Sequence, residues 1–198
     1  NINKHLILLF SVLFFLFAVS VTAESDVKSV VRNELDQLKN LDSETTQKYI
    51  PYTELFPDAT ENTDLTDEIN ETFSLFFRKF NYKISDVIVG TANHSATVSV
   101  KLTTIDSKVL ARDFKAELLR TQITESAQAQ KGNIKDSSRS LEAHYLILNH
   151  LLNTNDYDTA ETDCNIQLVN TGNNKKEKWK IQRTNSLEDD LVGGLIAD

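Results

Sequence analysis

The sequence predicts an α+β fold, and three observations carry that reading. Residues 159–169 alternate, with Ala160, Thr162, Cys164, Ile166 and Leu168 on one side and Glu161, Asp163, Asn165 and Gln167 on the other. A strand sends successive side chains to opposite faces, so a half-buried strand leaves this pattern. Ala96, Val98, Val100 and Leu102 alternate in the same way with Thr97, Ser99, Lys101 and Thr103. Elsewhere apolar residues recur three and four apart, the spacing of one helical face. Together these predict about four antiparallel strands packed on helices.

In chain order, Ser25 or Asp26 can cap a first helix reaching about Leu41, with Val27, Val31, Glu34, Leu38 and Leu41 on a stripe that Val30 and Leu35 widen. A short helix over 43–50 stops before Pro51, whose ring disfavours helical geometry in the residue before it. Residues 51–63 hold both prolines and read as a loop. The helix over 64–80 is the most apolar, with Leu65, Ile69, Phe73, Phe76, Phe77 and Phe80 on one face. Its four phenylalanines either fill the core beneath a sheet or line a ligand cavity.

Residues 82–89 and 95–105 form a hairpin about a turn at Gly90–His94. Asp106 or Ser107 then caps a helix to about Gln130, with Leu110, Phe114, Leu118 and Ile123 as its inner stripe. A helix over 137–152 carries Leu141, Tyr145, Leu148 and Leu152, so residues 107–154 read as a helical hairpin inserted between two β-hairpins. The second β-hairpin pairs 159–169 with a strand around Trp179 and Ile181 across the polar run Asn170–Lys176, whose glycine and asparagines tolerate turn geometry. Trp179 is expected on the inner face, opposite Ile166 or Leu168. The tail, 185–198, is acidic and reads as frayed or as a short terminal strand.

The N-terminal stretch differs from the rest. Lys4 precedes an apolar run from Leu6 to Val19, and Val21-Thr22-Ala23 places small residues before a cut. That order of charge, apolar run and small residues is the pattern of a secretory signal peptide over 1–23. The alternative is a retained anchor, although the run is shorter than the roughly 18 to 20 residues that a spanning helix needs. Residues 24–184 are then a single domain, expected to be secreted or held in the cell envelope.

The chain has 198 residues, 40% hydrophobic and 25% charged, with a formal charge of −8. Removing 1–23 takes away Lys4 and no acid, leaving about −9, a balance that argues against nucleic acid or an anionic membrane as partner. Cys164 is the single cysteine, so no intramolecular disulfide can form. Its place on the apolar side of its strand suits a small hydrophobe rather than a nucleophile. His144 and His150 are six apart, on different sides of a helix, and do not chelate as an i, i+4 pair would. The acidic group Asp156, Asp158, Glu161 and Asp163 lacks the glycine and glutamate positions of a calcium loop. Phosphate-cradling glycine loops and nucleophile-elbow motifs are absent from the sequence. Neither a metal nor a cofactor is expected.

The order of elements (two N-terminal helices, a Phe-rich helix, a β-hairpin and a late hairpin ending in Trp179-Lys180-Ile181) resembles the NTF2-like, or cystatin-like, superfamily. More narrowly it is similar to the secreted NTF2-like domains of unknown function of Gram-positive bacteria. The resemblance implies a curved antiparallel sheet wrapped on helices, with a conical pocket between them. Enzymes of that fold, such as ketosteroid isomerase, use a pocket Asp and Tyr, and no position of this sequence matches that motif. Pocket candidates are Phe73, Phe76, Phe77, Phe80, Tyr82, Asp86, Tyr145 and Trp179. The favoured expectation is a non-enzymatic binding domain for a small apolar ligand or a cell-envelope protein. The alternative is a small-molecule enzyme, isomerase- or hydrolase-like, that uses the pocket.

If Val21-Thr22-Ala23 is a cleavage site, mass spectrometry of the exported protein will find Glu24 at its N-terminus; a mass that retains Leu6–Val19 would make the chain membrane-anchored.

Overall fold

In the computed structural model, residues 22–49, 55–56, 65–132, 140–173 and 175–195 are described. The apolar run Leu6–Val19, most of the loop over 51–63 and the expected helix start near Ser137 lie outside them. The fold is α+β. Four antiparallel strands, β1 (Asn81–Val89), β2 (Ser95–Ile105), β3 (Thr159–Asn170) and β4 (Trp179–Ile181), form one curved sheet in the order β1-β2-β3-β4. Helices cover one face and the other face is polar, as expected when an antiparallel sheet packs on one side only.

Helix α1 runs over 22–39 and buries Ala23, Val27, Val31, Leu35 and Leu38. It is already helical at Thr22, so neither Ser25 nor Asp26 caps it, and Ala23 belongs to the core. The buried stripe passes through Leu35 rather than Glu34, which sits at the rim and pairs with Lys48 at 2.5 Å. Leu41, expected on the stripe, is 41% exposed. It adopts φ 63° as the helix ends, where Leu41 N–H donates to Leu38 O and Asp42 N–H to Gln37 O. That is the hydrogen-bond pattern of a Schellman terminus, made here without the usual glycine. Asp42 then caps α2 (Ser43–Tyr49), accepting from the backbone N–H and the hydroxyl of Thr45.

Helix α3 (Thr66–Phe76) tightens into a 3-10 turn, Phe77–Lys79, instead of continuing to Phe80. The tighter turn satisfies carbonyls at the helix end and delivers Phe77 and Phe80 to the core, 1% and 4% exposed. In β1 the register slips between Ile84 and Asp86, a β-bulge at Ser85. Beyond it Val87 and Val89 are half-buried, as Ile84 is before it, while Ser85 and Asp86 are both exposed.

Strands β2 and β3 pair without a break from Ser95↔Val169 to Ile105↔Thr159. The helical pair between them, α4 (Ser107–Gln130) and α5 (Leu141–Thr154), is therefore an insertion in a meander. Asp106 caps α4 and Ser140 caps α5 through side-chain oxygens. Helix α5 buries Leu141, Tyr145, Leu148 and Leu152 as expected, together with His144 and Leu151. In α4 only Ser107 and Leu110 are buried, and the expected stripe fails at Ile123, which is exposed along with Leu119. Among the described residues the outer half of α4 is mostly exposed.

Trp179 stands opposite Asn170, and Ile181 stands opposite Leu168. The register lies two residues beyond Leu168, the nearer expected partner, because Asn170 closes the connecting turn. Its side-chain oxygen accepts from Gly172 N–H and Lys178 N–H at 2.9 and 3.0 Å, which fixes where pairing resumes. The tail also departs from expectation. Residues Asn185–Leu191 form α6, capped by Thr184, and Leu187, Leu191 and Val192 are buried against the sheet. Gly193, at φ 62°, lies so near β2 that a Cβ would come within 2.7 Å of Thr104 Oγ1.

Phe76 is 1% exposed, so Phe76→Ala should cost about 3–5 kcal/mol in a denaturant titration, against a near-neutral effect if that ring merely lined an open cavity.

Candidate functional site

A ligand pocket under a curved sheet would occupy the space below β1–β3, and aromatic rings stand there. Phe76 and Phe77 meet edge to face with centroids 5.2 Å apart, and Phe77 and Phe80 do so at 5.5 Å. Phe73 touches Phe77 and Tyr145 at 6.3 Å each, and Tyr145 meets Phe56 at 5.2 Å. The row continues through His144, between Phe56 and Phe114, at one end and reaches Tyr82 from Phe80 at the other. Tyr145 and the four phenylalanines are no more than 4% exposed. Helical spacing on α3 and α5 aims them inward, and the 3-10 turn brings the last two under β1.

The other pocket candidates are dispersed. Trp179 is buried at the opposite sheet edge, where its indole N–H donates to Glu177 at 3.1 Å. Asp86 is exposed at the Ser85 bulge, so it does not point into the interior. Tyr82 is half-buried at the rim and donates its hydroxyl to Asp36 Oδ1 at 2.5 Å. Burial, and then the Asp36 carboxylate, push its phenol up to about 12. His94 and His150 are exposed. The fold thus brings Phe73, Phe76, Phe77, Phe80 and Tyr145 together, sets Tyr82 at their edge, and leaves Asp86 and Trp179 apart.

Two groups escaped the sequence reading. Beneath β3, Cys164 hydrogen-bonds Asp190 of α6, and burial followed by that carboxylate pushes the thiol up to about 12. Such a thiol stays protonated at neutral pH and is a poor nucleophile. Asp190 itself is raised above the usual carboxylate range, mainly by burial. The alternation of β3 had placed Cys164 inward, but nothing in the acidic tail announced a docked helix.

The second group is an open groove of about 350 Å³ between α1 and β1, lined by Lys28, Arg32, Lys39 and Lys83 with Asn81 and Tyr82. Among the described residues no acidic side chain lines it, the neighbouring carboxylate of Asp36 being bonded to the Tyr82 hydroxyl. Among the described residues no cluster of three His, Cys, Asp or Glu side chains could hold a metal, and no helix is long and apolar enough to cross a membrane. Comparison with protein-family models, with curated proteins and with solved structures found no match.

Because the folded state holds Asp190 with a raised pKa, it binds that proton more tightly than the unfolded chain does. Stability from this group is full below the unfolded pKa and declines as pH rises through the folded one. Asp190→Asn, which keeps an acceptor for the Cys164 thiol, should therefore raise the melting temperature at pH 7 and lose that advantage at pH 4.

Proposed function

We propose that this chain is a secreted or cell-envelope binding domain of the NTF2-like kind, working through its outer surface and not as an enzyme. The observation that carries the reading is the filled space under the sheet. Phe73, Phe76, Phe77, Phe80 and Tyr145 occupy the place where a fold of this type would hold a small ligand. An enzyme of that kind needs a titratable group facing bound substrate in a water-excluded site. Here the candidate Asp86 is exposed, and the Tyr82 hydroxyl is engaged by Asp36 at the rim. The curved sheet and the order of elements support the family likeness, while the apolar run before Ala23 supports export.

Of the two partners the sequence suggested, a small apolar ligand and a cell-envelope protein, a filled interior disfavours the first and leaves a partner met at the outer surface. The full chain should co-sediment with envelope fragments and should give no saturable fluorescence with an apolar dye such as anilinonaphthalene sulfonate. Saturable dye binding by the native protein, competed by apolar small molecules, would instead establish an interior pocket and overturn the surface reading.

A further inference from the structure

Taking surface binding as given, we propose that the α1–β1 groove is the binding surface and that its ligand is a flexible polymer carrying repeated phosphate groups. On a helix turning about 100° per residue, Lys28, Arg32 and Lys39 fall within about 40° of one another. They lie beside the buried stripe of Ala23, Val27, Val31, Leu35 and Leu38, so the packing that docks α1 also turns these cations toward β1. Lys83 meets them from the strand. From Lys28 to Lys39 the helix rises about 16 Å, too long for one anion and suited to several along a chain.

The way these cations are held is the stronger argument. None of the four forms an ion pair among the described residues, although the protein as a whole is acidic. Lys39 Nζ donates to Asn81 Oδ1 at 3.1 Å, and Arg32 lies against the phenol of Tyr82. Asn81 thus orients the Lys39 head group through a neutral oxygen, while the phenol beside Arg32 is itself held by a carboxylate. The neighbouring carboxylate, Asp36, accepts from the Tyr82 hydroxyl. Lys83 stands directly opposite Lys101 in the sheet, a like-charge pairing that costs stability. Lys101 is compensated by Glu161 at 3.6 Å, and Lys83, on the same polar face and in no ion pair among the described residues, borders the groove at the sheet edge. A lysine on β1 can protect an exposed sheet edge, but that accounts for Lys83 alone and not for the three cations of α1.

The net negative charge does not oppose such a ligand. Charges beyond about 8 Å are largely screened at physiological salt, so a chain within the groove meets mainly its four cations. A duplex or a flat bilayer would have to approach across a wider, acid-bearing surface. Lysine and arginine both bind phosphate, arginine through its planar fork and lysine as a point charge.

The test uses inorganic polyphosphate and the full chain, with affinity measured across a salt series. Wild type should bind, and log affinity against log salt should fall with a slope of about −3 for four contacts. Lys28→Gln/Arg32→Gln/Lys39→Gln, changes to good helix formers on an exposed stripe, should weaken binding at least about tenfold at low salt and flatten the slope by about 2. Lys83→Gln, on a different element, should weaken it in the same sense. Lys175→Gln/Lys176→Gln, on the turn at the far sheet edge, should leave it unchanged. Equal loss in that control, or equal binding to polyglutamate or to phosphatidylglycerol vesicles, overturns the proposal in favour of diffuse attraction, an acidic protein or a membrane. Co-sedimentation with envelope fragments but no polyphosphate binding would overturn the ligand class alone; failure of both would take the surface reading with it.

Discussion

The aromatic row from Phe114 to Tyr82 is the constraint on which the remaining packing rests. Each edge-to-face pair adds about 0.5–1.5 kcal/mol beyond the area it buries, and the row joins α4, α5, α3 and β1 in one contact path. Rings are rigid and large, so they set the spacing between the helices and the sheet. The 3-10 turn after α3 follows from that spacing. Had the helix continued at 3.6 residues per turn to Phe80, Phe77 and Phe80 would lie on a straight stripe and could not both wrap under β1. Among the described residues the same rings both stabilise the fold and take up the space between helices and sheet.

Features set by local pattern were legible in the sequence. Alternation placed β2 over Ser95–Ile105 and gave the inward and outward sides of β3, and the capping residue placed the start of α4. Features set by tertiary accommodation were not. The bulge at Ser85 depends on how β1 bends over the helices, and alternation alone had left Asp86 eligible to face inward. The register of Trp179 depends on Asn170 folding its side chain back over its own turn. Ile123, five residues past Leu118 and so only loosely on the stripe, has no partner covering that end of α4 among the described residues.

Helix α6 shows why an acidic segment misleads. Leu187 and Leu191 form a single i, i+4 pair, too little periodicity to register beside Glu188-Asp189-Asp190 and two glycines. Tertiary contact supplies what the pattern lacks. Leu187, Leu191 and Val192 cover the end of the sheet, and Ser107 Oγ donates to the Val192 carbonyl, tying the start of α4 to the end of α6. The helix carries its acids partly inward, where Cys164 supplies a thiol donor to Asp190. A buried polar group costs far less with a partner than without one, so the lone cysteine acts as a satisfied core residue with a hydrogen bond to give.

The cationic groove was legible only after α1 had been oriented. The sequence pattern singles out none of Lys28, Arg32, Lys39 and Lys83. Burial of the Ala23–Leu38 stripe fixes the rotation of α1, and that rotation turns the three cations toward β1. Paired with carboxylates, they would be an ordinary surface lattice contributing little to stability. Asn81 instead holds Lys39 through a neutral oxygen, and Tyr82 hands its hydroxyl to Asp36 while its ring reaches the aromatic row through Phe80. One residue thus joins the filled interior to the charged rim. The aromatic core beneath the sheet thus also steadies the rim that carries the cations.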